Sequence, residues 1–97
     1  MIFAISHELK GKRDYSPLFE KIMSLGEWMH YIKSVWVVET REPMAAHEVF
    51  RELDPYIDDR TDFLFIVEVT RDYFGILPKD AWEWLNQRNW QQQSLPV

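Results

Sequence analysis

The strand-like stretch Phe63–Thr70, with the sequence FLFIVEVT, is the feature that most limits how this chain can fold. Phenylalanine and valine occupy one set of alternate positions in it, and leucine and isoleucine begin the other set, so both sides of the strand are apolar. A sheet that helices cover on one side only should show a polar second side. The sequence therefore predicts a sheet that is covered on both sides, by a second copy of the chain or by another part of it.

The rest of the chain supplies the other elements of an α+β fold. β-branched and aromatic residues mark the strands, apolar residues at helical spacing mark the helices, and proline indicates helix starts at Ser16-Pro17 and Glu42-Pro43. Pro55 should kink or end the second helix. A division of the second strand into a hairpin stays open. The predicted strands are Ile2–Leu9, Tyr31–Glu39, Phe63–Thr70 and Tyr73–Leu77, and the predicted helices run from Ser16 to Gly26, from Glu42 to Pro55 and from Pro78 onward.

This order of elements is closest to a ferredoxin-like α+β sandwich, in which one sheet carries two helices on one face. We predict that fold as a single domain over residues 1–90, with an additional C-terminal helix and a flexible tail over residues 91–97. The second face then forms a homodimer interface, or the tryptophan-rich C-terminal helix folds back over it. The residues assigned to this interface are Ile2, Ala4, Leu64 and Ile66.

Composition excludes several classes of function. Zero cysteines exclude disulfides, thiolate metal sites and cysteine catalysis, and they fit a reducing cytoplasm, where we expect the protein to be. No apolar run approaches the ~20 residues of a membrane span, so we expect no membrane association. Acidic residues outnumber basic ones by 16 to 11, and the net charge of −5 disfavours broad binding of nucleic acid. Any such contact should be local, at Lys10, Lys12 and Arg13.

Two motifs connect the chain to a known family. The first helix leads into Leu25-Gly26-Glu27-Trp28, and the segment His30–Val38 carries His-Tyr followed by Ser-x-Trp. Together with the opening strand and the charged loop, these motifs resemble the small bacterial proteins of the SinR family. Those proteins are similar to the small CRISPR-associated endoribonuclease, the second of the numbered Cas families, and to VapD toxins. The resemblance implies a ferredoxin-like homodimer in a defence or mobile-element context.

The resemblance also implies a catalytic and metal-binding position. In the CRISPR-associated and VapD-like relatives, an aspartate at the end of the first strand is tied to metal-dependent cleavage and faces its symmetry mate. Glu8, preceded by His7, stands at the matching position, where the family commonly has Tyr-Asp. Glutamate still offers Mg²⁺ an oxygen ligand, but its extra methylene moves the carboxylate. We interpret the chain as a non-catalytic homodimer, and the alternative is a Mg²⁺-dependent nuclease with Glu8 contributed by each subunit.

The remaining chemically suggestive residues favour structural roles. The three histidines, His7, His30 and His47, lack the i, i+4 spacing of a helical metal-binding pair. We expect His30 to make a structural hydrogen bond near the second strand. The acidic run Asp58–Asp62 lacks the central glycine and the distal glutamate of a calcium loop, and it predicts a polar turn instead.

Overall fold

The computed structural model of the protein describes residues 1–90 as a four-stranded antiparallel sheet with three α-helices. The predicted tail over residues 91–97 lies outside the described residues. The elements are β1 (Ile2–Glu8), α1 (Ser16–Ser24), β2 (Gly26–Ile32), β3 (Val35–Thr40), α2 (Ala46–Leu53), β4 (Phe63–Glu68) and α3 (Lys79–Asn86). The strands lie side by side in the order β2-β3-β1-β4. These observations confirm the predicted α+β class.

One face of the sheet packs against α1 and α2 and forms the main core. Phe3 and Ile5 of β1 are fully buried there. The strand register places Ile5 opposite both Trp36 of β3 and Ile66 of β4. Residues directly opposite each other in antiparallel strands share a face, so these side chains all meet the helices. The helices contribute Leu18, Ile22, Val49 and Leu53 to the same cluster.

The strand register corrects the predicted interface set of Ile2, Ala4, Leu64 and Ile66. Ala4 lies opposite Val67, and Ile66 lies opposite Ile5, so even-numbered residues of β1 share a face with odd-numbered residues of β4. Leu64 and Ile66 pack against the helix-covered core, whereas Ala4 lies on the other face. Alternation shows which residues of one strand share a side, but not which side the helices cover. The assignment of these four residues to one face is therefore wrong.

The region predicted as one strand over Tyr31–Glu39 contains parts of two strands, β2 and β3, joined by a turn at Lys33 and Ser34. Gly26 follows the end of α1, as its predicted role as a helix stop requires, but it also begins β2. A Cβ atom at Gly26 would lie 1.8 Å from the Glu39 carbonyl oxygen of β3. The close approach of the two backbones explains why glycine stands at this position.

The second helix is shorter than the sequence predicts. It begins at Ala46, where the Glu48 carboxylate accepts a hydrogen bond from the Ala45 backbone N–H at 3.0 Å. It ends at Leu53 and passes into a single 3₁₀ turn that contains Pro55, which confirms the predicted effect of that proline. Within residues 1–90, none of the helices has the length and apolar content needed to cross a bilayer.

The third helix covers part of the second sheet face. Ala81 and Leu85 of α3 bury themselves against Met29 of β2, with Val37 of β3 beside them. The segment Tyr73–Leu77, predicted as a strand, joins no sheet in the described part of the chain, and its two end residues pack into this α3 cluster. The alternative that the C-terminal helix folds back over the sheet is therefore confirmed for the half formed by β2 and β3.

Candidate functional site

An exposed apolar surface lies along β4, on the half of the second sheet face that α3 leaves uncovered. Phe63, Phe65 and Val67 are 62%, 67% and 40% exposed. The register places Ala4 and Ser6 of β1 beside them on the same face. We call these five residues the open face. β4 is also an edge strand of the sheet, and edge strands are the usual sites of pairing with another chain.

The connection between β4 and α3 exposes two more large apolar side chains. Phe74 and Ile76 are fully exposed, whereas the flanking Tyr73 and Leu77 pack into the α3 cluster. The alternation means that one side of this segment is anchored on the protein and the other side points into solvent. Two fully exposed large apolar residues so close together are uncommon on the surface of a monomer.

Glu8, the residue predicted to carry catalysis and metal binding, ends β1 and lies opposite Phe63 at the end of the open face. Its side chain is exposed, and its Oε1 atom lies 3.6 Å from the Lys10 Nζ atom. The same ammonium lies 5.0 Å from the centre of the Phe63 ring. Glu8 is thus part of a solvated ion pair. Across residues 1–90, no three His, Asp or Glu side chains converge to hold a metal ion.

An open groove of about 440 Å³ adjoins Glu8. Two exposed phenyl rings and one carboxylate dominate its lining, and such a surface suits an apolar side chain from a protein partner better than a phosphate, which the Glu8 charge would repel. The lining residues are Ser6, His7, Glu8, Phe63, Leu64 and Phe65.

The predicted nucleic-acid contacts Lys10, Lys12 and Arg13 lie on a loop whose backbone is anchored to the rest of the protein. The Lys10 backbone N–H donates a hydrogen bond to Asp62 Oδ1 at 3.0 Å, and the Arg13 guanidinium lies 6.0 Å from the centre of the Tyr15 ring. Lys10 is therefore brought beside Glu8, whereas Lys12 and Arg13 face solvent. None of the three cations lines the groove beside Glu8.

Asp62 organises this loop from a position that is only 5% exposed. Its Oδ1 atom accepts a hydrogen bond from the Tyr15 hydroxyl at 2.6 Å, and its Oδ2 atom accepts one from the Asp58 backbone N–H at 2.9 Å. Burial raises the pKa of Asp62, but the hydrogen bonds from Tyr15 and from backbone N–H groups outweigh burial and lower that pKa from 3.8 to about 2. Burial and the contact with Asp62 raise the pKa of Tyr15.

The acidic run before β4 forms the turn that the sequence predicts. The Asp58 carboxylate accepts hydrogen bonds from the Arg60 backbone N–H at 3.0 Å and from its guanidinium at 3.1 Å, and this contact lowers the pKa of Asp58. The sequence predicts a polar turn over this run but does not identify Asp62 as an anchor. No local sequence signal marks this role, because Tyr15 and Lys10, which bind Asp62, are far from it in the chain.

Two histidines flank the buried Trp36. The Trp36 indole N–H donates a hydrogen bond to the Nε2 atom of His7 at 3.2 Å. The His30 ring stacks on the indole with ring centres 3.7 Å apart. Its Nε2 atom is 2.8 Å from the Lys33 carbonyl oxygen, which confirms the structural hydrogen bond expected of His30.

Comparison with known proteins bears on the fold. No protein-family model matches the chain, and no curated protein matches it in sequence. The crystal structure of a hypothetical protein, TT1823 from Thermus thermophilus, is similar, with a TM-score of 0.58 and 19% sequence identity. The matched region covers 79% of this chain and 93% of that one. At this level of identity the similarity supports a shared α+β fold and nothing more specific.

Proposed function

We propose that the protein is a non-catalytic homodimer with a ferredoxin-like fold, assembled through the open face. The observation that carries this proposal is the exposure of Phe63 and Phe65, at 62% and 67%, next to each other on one face of an edge strand. A second copy of the chain offers a matching apolar surface, because a twofold interface places the same patch of both subunits in contact.

The exposed apolar side chains are large enough to support a stable interface. Burying one aromatic side chain removes about 150–250 Å² from water, and a stable interface buries roughly 800 Å² on each partner. Phe63 and Phe65 are each about two-thirds exposed and Phe74 is fully exposed, so the three together would provide roughly half of the area needed on each subunit. Val67 and Ile76 would add to it.

The order of the elements supports the ferredoxin-like part of the proposal. The chain runs β1-α1-β2-β3-α2-β4, with both of these helices on one face of an antiparallel sheet ordered β2-β3-β1-β4. The helix α3 is then an addition to that core. Membership in the SinR family, with its relation to CRISPR-associated and VapD-like proteins, belongs to the same proposal and rests on the sequence motifs around His30 and Trp36.

The surroundings of Glu8 support the non-catalytic part. Its carboxylate is exposed, pairs with Lys10 and adjoins phenyl rings rather than further acidic ligands. The net charge of −5 and the pairing of Lys10 with Glu8 also disfavour tight binding of a phosphate backbone. These features fit an assembly module better than an enzyme that acts on nucleic acid.

Light scattering tests the oligomeric state directly. At micromolar concentration the purified protein should have about twice the chain mass of 11.8 kDa. The dimer should persist in 0.5 M salt, because an apolar interface is not screened by ions. A single species at the mass of one chain, with a circular dichroism spectrum of a folded protein, would rule out the proposed dimer at that concentration.

The alternative function is a Mg²⁺-dependent nuclease that uses Glu8 from each subunit. One observation favours it: Glu8 lies opposite Phe63 on the side of β1 that belongs to the open face. A dimer formed through that face would place both Glu8 side chains at its interface. Two carboxylates that shared one Mg²⁺ could polarise a phosphate and activate water there.

A nuclease assay separates the two functions. We expect the wild-type protein to show no Mg²⁺-dependent cleavage of single-stranded RNA or duplex DNA, and Glu8→Asp to show none either. The control is Glu8→Gln, which keeps the shape of the side chain and removes the anionic ligand. Metal-dependent turnover by the wild type that Glu8→Gln abolishes, with the dimer intact, would establish the nuclease instead.

A further inference from the structure

The group formed by His7, Trp36 and His30 joins three strands at one end of the sheet. Trp36 of β3 is 4% exposed and lies between His7 of β1, which accepts its indole N–H, and His30 of β2, which stacks on its ring. Phe19 of α1 closes the group, with its ring centre 5.7 Å from that of His7 and 5.6 Å from that of Trp36.

The hydrogen bond from Trp36 fixes the protonation state of His7. The indole N–H is a donor only, so the Nε2 atom of His7 must be unprotonated to accept it. A proton on that atom would set two donors against each other at 3.2 Å and leave the buried indole N–H without its acceptor. The His7 backbone N–H also donates to the Ser34 carbonyl at 2.9 Å, so the same residue ties the end of β1 to the turn between β2 and β3.

We propose that His7, Trp36 and His30 form an acid-sensitive latch that closes this end of the sheet while the His7 imidazole is neutral. Protonation of His7 breaks its bond with Trp36, moves the imidazolium toward solvent and loosens the junction between β1 and the β2–β3 turn. His7 lies opposite Leu64, on the helix-covered side of the sheet, so the latch is tested separately from the proposed dimer.

The charged and titratable groups around His7 determine whether its pKa is raised or lowered in the fold. From β2, His30 is the ionisable group whose charge acts on His7, while α1 and β3 present the uncharged rings of Phe19 and Trp36. Opposite His7, β4 presents the uncharged Leu64. On β1 itself, the next residue in the chain, Glu8, is on the other side of the strand and pairs with a lysine.

Burial lowers the pKa of His7 below 6.5, and the neighbouring His30 lowers it further, against a smaller opposing effect of a backbone hydrogen bond. The unfolded chain therefore takes up this proton at a higher pH than the folded chain does. The stabilisation that the neutral His7 gives is complete above pH 6.5 and is lost as the pH falls through that value toward the folded-state pKa.

Nuclear magnetic resonance of the tryptophan side chains tests the latch. We would follow the Trp36 indole N–H resonance, assigned with Trp36→Phe, in the ¹⁵N-labelled full chain from pH 7.5 down to the onset of acid unfolding. It should shift or broaden with a midpoint below 6.5, together with the amides of His7 and Ser34. In His7→Gln, whose side-chain oxygen can still accept the indole N–H but does not titrate, the Trp36 resonance should stay constant over this range. In His30→Gln, the midpoint should move upward.

Two results would overturn the proposal. One is a Trp36 resonance that does not change in the wild type between pH 7.5 and the onset of acid unfolding. The other is a Trp36 resonance that titrates equally in His7→Gln, because the responding group would then be a different one. The resonances of Trp82 and Trp84, in the α3 cluster, provide an internal reference that should not follow the midpoint of Trp36.

Discussion

Ile66→Asp is expected to destabilise the monomer fold, whereas Phe65→Asp, one residue earlier, is expected to separate the dimer and leave the fold intact. Ile66 packs against the helix-covered core, opposite the buried Ile5, so a carboxylate there meets apolar side chains without a partner. We expect a loss of about 3 kcal/mol or more in the free energy of unfolding, which is a large part of the stability of a domain this small. Phe65 faces outward and is 67% exposed, so an aspartate there stays hydrated in the monomer.

Urea unfolding and light scattering on both variants check this pair of outcomes. Phe65→Asp should keep a folded circular dichroism spectrum and give the mass of one chain at a concentration where the wild type gives two. Phe50→Asp is the matched control, since Phe50 is a partly exposed phenylalanine on α2, away from the open face, and that variant should remain dimeric. If Phe65→Asp remained dimeric, the open face would not be the interface. If Ile66→Asp were as stable as the wild type, the strand register that places Ile66 against the core would be wrong.

Asp62→Asn is expected to cost about 2–3 kcal/mol of stability, through the loss of charged hydrogen bonds. The amide can still accept from Tyr15 and Lys10 on one atom, but its NH₂ group then faces the Asp58 backbone N–H, which needs an acceptor. The matched control is Asp59→Asn in the same turn, where the exposed carboxylate makes no comparable buried contact, and its effect should be within about 0.5 kcal/mol.

The same carboxylate should give the protein a specific weakness to acid. Because the pKa of Asp62 is about 2 in the fold against 3.8 for an ordinary aspartate, its stabilisation is complete above 3.8 and is lost as the pH falls toward 2. Urea midpoints between pH 6 and pH 2 should fall less steeply in Asp62→Asn than in the wild type over this window. Parallel curves for the two proteins would show that Asp62 does not anchor the loop.

Much of the fold can be predicted from the sequence because local patterns decide it. The apolar run at Phe63 and the Ser16-Pro17 start each mark an element that the structure contains. The division of Tyr31–Glu39 between two strands is harder to predict, because both β2 and β3 are rich in strand-forming residues and the turn at Lys33 and Ser34 lacks a strong turn signal. The sequence predicts Gly26 as the stop of the first helix, which ends at Ser24, but the backbone contact that requires this glycine arises only when β2 and β3 pair.

The open face and the buried contacts depend on the register between strands, which alternation within a strand cannot supply. That is why Leu64 and Ile66 were assigned to the uncovered side, although they meet the helices. Asp62 was missed for a related reason: its partners Tyr15 and Lys10 are distant in the chain and come together only in the folded protein.

The central claim, that two copies assemble through the open face, is tested most directly by paramagnetic broadening between subunits. The chain has no cysteine, so a spin label on Thr70→Cys, just beyond β4, is unique, and one on Arg51→Cys in α2 serves as the control. Each spin-labelled protein, which contains no ¹⁵N, would be mixed with ¹⁵N-enriched wild type that carries no spin label. The label at position 70 should broaden amides of β4 and of Ala4 in the partner, and the label at position 51 should not. Broadening only from position 51, or from neither position in a sample that is dimeric by mass, would contradict assembly through the open face.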